Sequence, residues 1–76
     1  MNRLEIKEAL SEITKNAQAP ALNYAVNYAK YALAMIASDA SDHDLKVQLL
    51  YVQNNITHWR GEIAKKVRAV LKGATK

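Results

Sequence analysis

The chain has 76 residues, a formal charge of +4, two glycines, one proline and no cysteine. A single domain of this size buries only roughly 60–65% of its unfolded surface. Without cysteine, disulfide staples and thiolate metal sites are excluded, and self-association is the remaining route to added stability. The abundance of Ala, Leu, Lys, Glu and Gln favours helix, so the expected fold is all-α: a small bundle of three or four helices over residues 1–76, homo-oligomeric.

Asn2 is placed to cap a first helix, with Glu5 three residues on. Leu4, Ile6, Leu10, Ile13 and Ala17 mark its buried side. The pattern breaks before Pro20, because residues preceding proline avoid the α region. Pro20 itself suits the first turn of a second helix, expected over about Ala19 to Ser38. Two apolar stripes run along it, one of Leu22, Val26, Ala29, Leu33 and Ile36, the other of Tyr24, Tyr28, Tyr31 and Met35. A helix apolar around most of its circumference is either central in a bundle or shared with a second subunit. The tyrosines are expected to pack in the core, a subunit interface or a ligand-stacking surface being the alternatives. Ala21, Ala25, Ala29 and Ala32 permit close approach of a neighbouring helix.

Ser41-Asp-His-Asp44 reads as a helix cap, with Asp42 and Asp44 at the positive end of the helix dipole. From there Leu45, Leu49, Val52, Ile56, Trp59, Ile63, Val67 and Val70 recur at helical spacing, and Leu50, Ala64 and Leu71 widen the stripe. Read literally, the stripe is one rod over 42–72. That length is large for so short a chain, which favours two helices with a bend between Asn54 and Gly61, Thr57 as a cap, and Gly73 as the terminator of the last helix.

Charge is unevenly placed. From Arg60 onward six cations stand against the single carboxylate of Glu62, whereas the five preceding cations stand against six carboxylates. Arg60, Lys65, Lys66 and Arg68 are therefore the candidate phosphate contacts, with Lys72 beside them. The simpler alternative is a solvated helix face. Tyr24, Tyr28, Tyr31 and Trp59 are the candidate rings for stacking or for an interface, although a lone tryptophan on an apolar stripe is usually a core anchor. Gly61 in mid-pattern costs about 1 kcal/mol against alanine, which a bend, a close helix approach or room for a ligand would justify. Catalysis is not expected: His58 and Glu62 have no nucleophile near them in the pattern, and so small a chain scarcely encloses a pocket. Asp39, Asp42, His43 and Asp44 lack the regular oxygens and central glycine of a calcium loop, so no metal and no cofactor is expected. The longest wholly apolar run, Ala32 to Ala37, is too short for a bilayer. The expected compartment is the cytoplasm.

The segment from Leu45 to Arg68, about the C-terminal half, resembles short helical bacteriophage proteins of unknown role in which a similar Trp-Arg-Gly-Glu turn (Trp59 to Glu62) precedes a basic helix. Phage proteins of this size include non-enzymatic homo-oligomers that sequester immune nucleotides, and no binding residue is carried over from them. With the resemblance, the expected function is sequestration of an anionic nucleotide-like ligand at a subunit interface, in the host cytoplasm if the chain is phage-encoded. A nucleic-acid-binding accessory protein and an inhibitor docking on a host protein are the alternatives.

Overall fold

The computed structural model describes all 76 residues. Four helices of 13 residues each follow one another: α1 (Arg3–Lys15), α2 (Ala25–Ala37), α3 (Asp42–Asn54) and α4 (Glu62–Ala74), with a 3₁₀ turn, Pro20–Leu22, leading into α2. Each helix packs against the next, and α4 closes back on α1. α1 and α3 separate α2 from α4, so those two lie across the diagonal of the bundle.

Local chemistry sets most helix ends. The Asn2 side chain accepts the Glu5 amide at 3.1 Å, and the Ser41 hydroxyl accepts the Asp44 amide at 3.1 Å, so both caps read from the sequence are formed. The second helix begins later than expected. Pro20 holds Ala19 extended, and the next bonds, from Leu22 to Ala19 and from Asn23 to Pro20, span three residues rather than four. This tighter turn seats Leu22 wholly in the core. α2 ends with Asp39 in the left-handed region (φ 59°). The Ala40 amide reaches back to Met35 O and the Asp39 amide to Ile36 O, a Schellman closure with aspartate where glycine is usual. The Ala40 carbonyl then accepts from Arg3, which also pairs with Asp42 at 2.8 Å. One guanidinium thus ties the start of α1 to the α2–α3 corner.

The rod is not formed. α3 stops at Asn54, whose neighbour Asn55 turns its amide onto Tyr51 O, and α4 starts only after Gly61. Gly61 has φ 110° and ψ 174°, a conformation essentially closed to residues with a Cβ. A Cβ there would meet nothing within 4 Å. Of the three reasons for a glycine the bend is therefore the operative one, and Thr57 caps nothing. Ile56 and Trp59 tuck the connection into the core. Gly73 does not end α4. The helix runs on to Ala74, where the Thr75 hydroxyl bonds Leu71 O, Gln53 bonds Thr75 Oγ1 at 2.9 Å, and Lys46 bonds Lys76 O at 2.8 Å. Side chains of α3 supply the closure expected of the glycine.

Sixteen residues are buried, all apolar. α2 buries Ala25, Ala29 and Ala32, with Val26, Leu33 and Ile36 on the edge of the core, so its inward line is the alanine set rather than the larger side chains. Close packing against two neighbouring helices has room for methyl groups at the centre, and the bulkier residues fall to the flanks. The restart at Gly61 also resets the phase of the last helix. Ala64, Val67 and Leu71 point inward, which leaves Ile63 exposed; Leu4 and Leu50 are exposed as well, on the outer flanks of α1 and α3.

Two outcomes are expected. Gly61→Ala forces a Cβ into forbidden backbone and should cost about 1–3 kcal/mol, read as a lower urea midpoint with an unchanged slope. The hydrogen bond from Arg3, then the charges of Arg3 and the amino terminus, hold the Asp42 carboxyl below its ordinary range against some desolvation. A carboxyl depressed by folding stabilises above its unfolded value, and that contribution fades as pH falls through the folded one. Asp42→Asn should therefore flatten the loss of melting temperature below about pH 4.

Candidate anion-binding face and tyrosine face

With α4 turned so that Ala64, Val67 and Leu71 face the core, its outer side carries Lys65, Lys66, Lys72 and, just beyond, Lys76, all exposed. Arg60 is exposed immediately before the helix. The chain contains two ion pairs, Arg3–Asp42 and Lys15–Glu12, and neither touches this face. Ala69 and Gly73 lie between the lysines, exposed and small, leaving the helix backbone open to close approach. Glu62 in the first turn is the one carboxylate on the helix.

Arg68 leaves the proposed set. Its guanidinium is half-buried and donates to the carbonyl of Trp59, which the bend leaves without a backbone partner, and to that of Ile56, which also accepts the Trp59 amide. It holds the bend together instead of facing an anion. Lys66 occupies a boundary. On one side it joins the outer lysines. On the other it overlooks a groove of about 260 Å³ between α1 and α4, floored by Ala9, Val67 and Val70 and rimmed by Glu5, Glu8 and Glu12. Those carboxylates repel an anion entering the groove, so the candidate anion surface is the outward face of α4.

The tyrosines form a separate surface. Tyr24 is 72% exposed, Tyr31 62% and Tyr28 39%, which overturns the expectation that they fill the core. Tyr28 stacks on Tyr51 of α3, ring centroids 5.9 Å apart and planes 21° from parallel, while Gln48 bonds Tyr28 O at 3.1 Å. Val47 and Tyr51 extend the face along α3, each at least 40% exposed. Tyr51 went unremarked in the sequence because it lies off the Leu45–Leu49–Val52 stripe; its position two residues after Leu49 was the available signal. Trp59 does the reverse. At 7% exposure its ring is part of the core, and no base reaches its face.

Because α2 and α4 are diagonal, one copy does not bring the tyrosines and the lysines to one site. His58 lies in the loop and Glu62 begins α4, so the shared helix face suggested for that pair is not formed. Asp42 and Asp44 serve the start of α3, and no group of three or more His, Cys, Asp or Glu is arranged to hold a metal ion. No helix is long and apolar enough to cross a membrane. Compared with known proteins, the chain matches no family model, no curated protein and no solved structure.

The two kinds of cation should separate by mutation. Arg68→Ala strands the partly buried Trp59 carbonyl and should cost about 1–3 kcal/mol, whereas Lys65→Ala should stay within about 0.5 kcal/mol, both measured by thermal and urea unfolding.

Proposed function

We propose that the protein is a non-enzymatic binder of phosphate polyanions, foremost the nucleic-acid backbone, and that it works in the cytoplasm as a homo-oligomer. The observation that supports this reading is the open row of cations on α4: Lys65, Lys66, Lys72 and Lys76, with Arg60 before them, none in an ion pair. From Lys65 to Lys76 the row covers roughly 16 Å at 1.5 Å per residue. A phosphate strand advances roughly 3.4 Å per charge, so the row meets several phosphates at once. An extended line of charge suits an extended ligand better than a compact one. The residues among the lysines, Ala69 and Gly73, carry no group that reads a base edge, so binding is independent of sequence.

One observation favours a second reading. The exposed rings of Tyr24 and Tyr31 are available to stack on a base. A nucleotide-like ligand, or a sequestered signalling nucleotide, would then lie at a subunit interface, with rings from one copy and cations from another.

Fluorescence anisotropy with single- and double-stranded oligonucleotides across a salt series distinguishes them. The polyanion reading expects affinity to fall with salt on a log–log slope of about −2 to −4, and the Lys65→Ala/Lys72→Ala variant to lower that slope by about 2 while its circular dichroism is unchanged. A salt-independent affinity, or an unaffected double variant, overturns it. A large melting shift with one mononucleotide and none with DNA supports the second reading instead.

A further inference from the structure

We propose that the exposed tyrosine face joins two copies of this chain about a two-fold axis, α2 against α2, and that the dimer uses its outward α4 faces to bridge two polyanions. The bridging rests on the polyanion reading above; the pairing of copies does not.

Three observations select a second copy as the occupant. The first is charge. The chain carries +4 overall, and its cations crowd onto α4, so most approaches between two copies are repulsive. The tyrosine face is the exception. Its rings and Val47 are flanked by Asn23, Asn27, Gln48 and Asn54, with Asp44 one turn before Val47 and Lys30 beside Tyr31 as the charges at its border, so it carries far less positive charge than α4. Tyrosines interspersed with amides are the composition of adaptable protein-binding surfaces, rings giving rigid contact area and amides giving hydrogen bonds.

The second is area. At roughly 200 Å² per tyrosine, the four exposures together present on the order of 450 Å². Val47 and the amides carry the face towards the about 800 Å² per partner of a stable interface. An apolar patch of about 450 Å² is comparable to the largest that a monomer usually leaves in water, and such patches are often functional.

The third is symmetry. A two-fold interface must be complementary to itself. Tyr24, Tyr28 and Tyr31 step along α2 by four and three residues, so the stripe is balanced about Tyr28. Two antiparallel α2 helices crossing there set Tyr24 of each copy opposite Tyr31 of the other, with the Tyr28–Tyr51 stacks at the centre.

The consequence for function follows from the diagonal. α4 lies across the bundle from α2, and the protomer is 18–20 Å through its shorter axes. Copies joined by their tyrosine faces therefore carry their lysine rows at the two far ends, pointing apart. Such a dimer cannot clamp one strand between its rows. It links two.

Sedimentation equilibrium from low micromolar to submillimolar protein, at low and at high salt, reads the pairing. Fluorescence transfer between donor-labelled and acceptor-labelled duplexes reads the bridging. The wild-type protein is expected to be a dimer, no weaker at high salt, and to bring the duplexes together. Tyr24→Ser/Tyr31→Ser, on exposed positions, should be monomeric with unchanged circular dichroism, keep oligonucleotide binding, and lose transfer at least tenfold. Lys65→Ala/Lys72→Ala should stay dimeric and lose both binding and transfer. A wild-type monomer throughout, a dimer indifferent to the tyrosine changes, or a DNA-bound dimer without transfer overturns the proposal. If no oligonucleotide binds, the polyanion reading and the bridging fall together, while sedimentation still decides the pairing.

Discussion

The close approach of α2 to its neighbours governs this structure. Ala25, Ala29 and Ala32 are fully buried, and a methyl group is the largest side chain that the centre of that contact accommodates. Everything larger on α2 must leave the centre. Val26, Leu33 and Ile36 move to the rim of the core, where they stay half-covered. The tyrosines move further, onto the surface beside α3. The alanine line thus does two things: it packs a 16-residue core without one buried polar group, and it places a helix rich in aromatic side chains with those rings in water.

A second constraint acts at the other end of the chain. The left-handed backbone of Gly61 ends one helical phase and starts another. Breaking a helix leaves the Trp59 carbonyl without a backbone partner, and Arg68 satisfies it while also bonding the Ile56 carbonyl, and Ile56 and Trp59 shield the connection from below. The bend therefore uses up one of the cations and the only tryptophan. In return α4 is free to set its own rotation, and it does so with Ala64, Val67 and Leu71 inward. That rotation is what lines Lys65, Lys66, Lys72 and Lys76 along one exposed face.

Much of the fold is legible in the sequence where the cause is local. The caps at Asn2 and Ser41, the break before Pro20 and the bend between Asn54 and Gly61 each depend on residues within a few positions of one another. The burial of Leu45, Leu49 and Val52 follows from their spacing. What stays hidden depends on helices meeting in space. Spacing on α2 allows two apolar stripes and an alanine stripe to be the inward one, and only the distance to α1 and α3 chooses between them. The unbroken count from Leu45 to Val70 likewise conceals a change of phase, so Ile63 looks buried and is not. Arg68 looks like its lysine neighbours because its partners, the carbonyls of Ile56 and Trp59, come from the bend. The candidate site was half legible for the same reason: charge density singles out α4, while the separation of rings from cations is a property of the bundle diagonal.

Taken together, the two constraints produce a protomer with unlike sides. Hydrophobic surface and cationic surface are usually interspersed on a small soluble domain, which keeps it soluble without giving it direction. Here packing has sorted them. The aromatic side can lose water at little electrostatic cost, because its tyrosines and asparagines carry no ionic shell and its charges, Lys30 and Asp44, lie at the border. The lysine side gains most by keeping its water until a polyanion releases its own counterions. A contact that strengthens with salt and one that weakens with it can then act in the same molecule without competing for residues. That separation is the physical ground of the two binding functions proposed for a chain of this length.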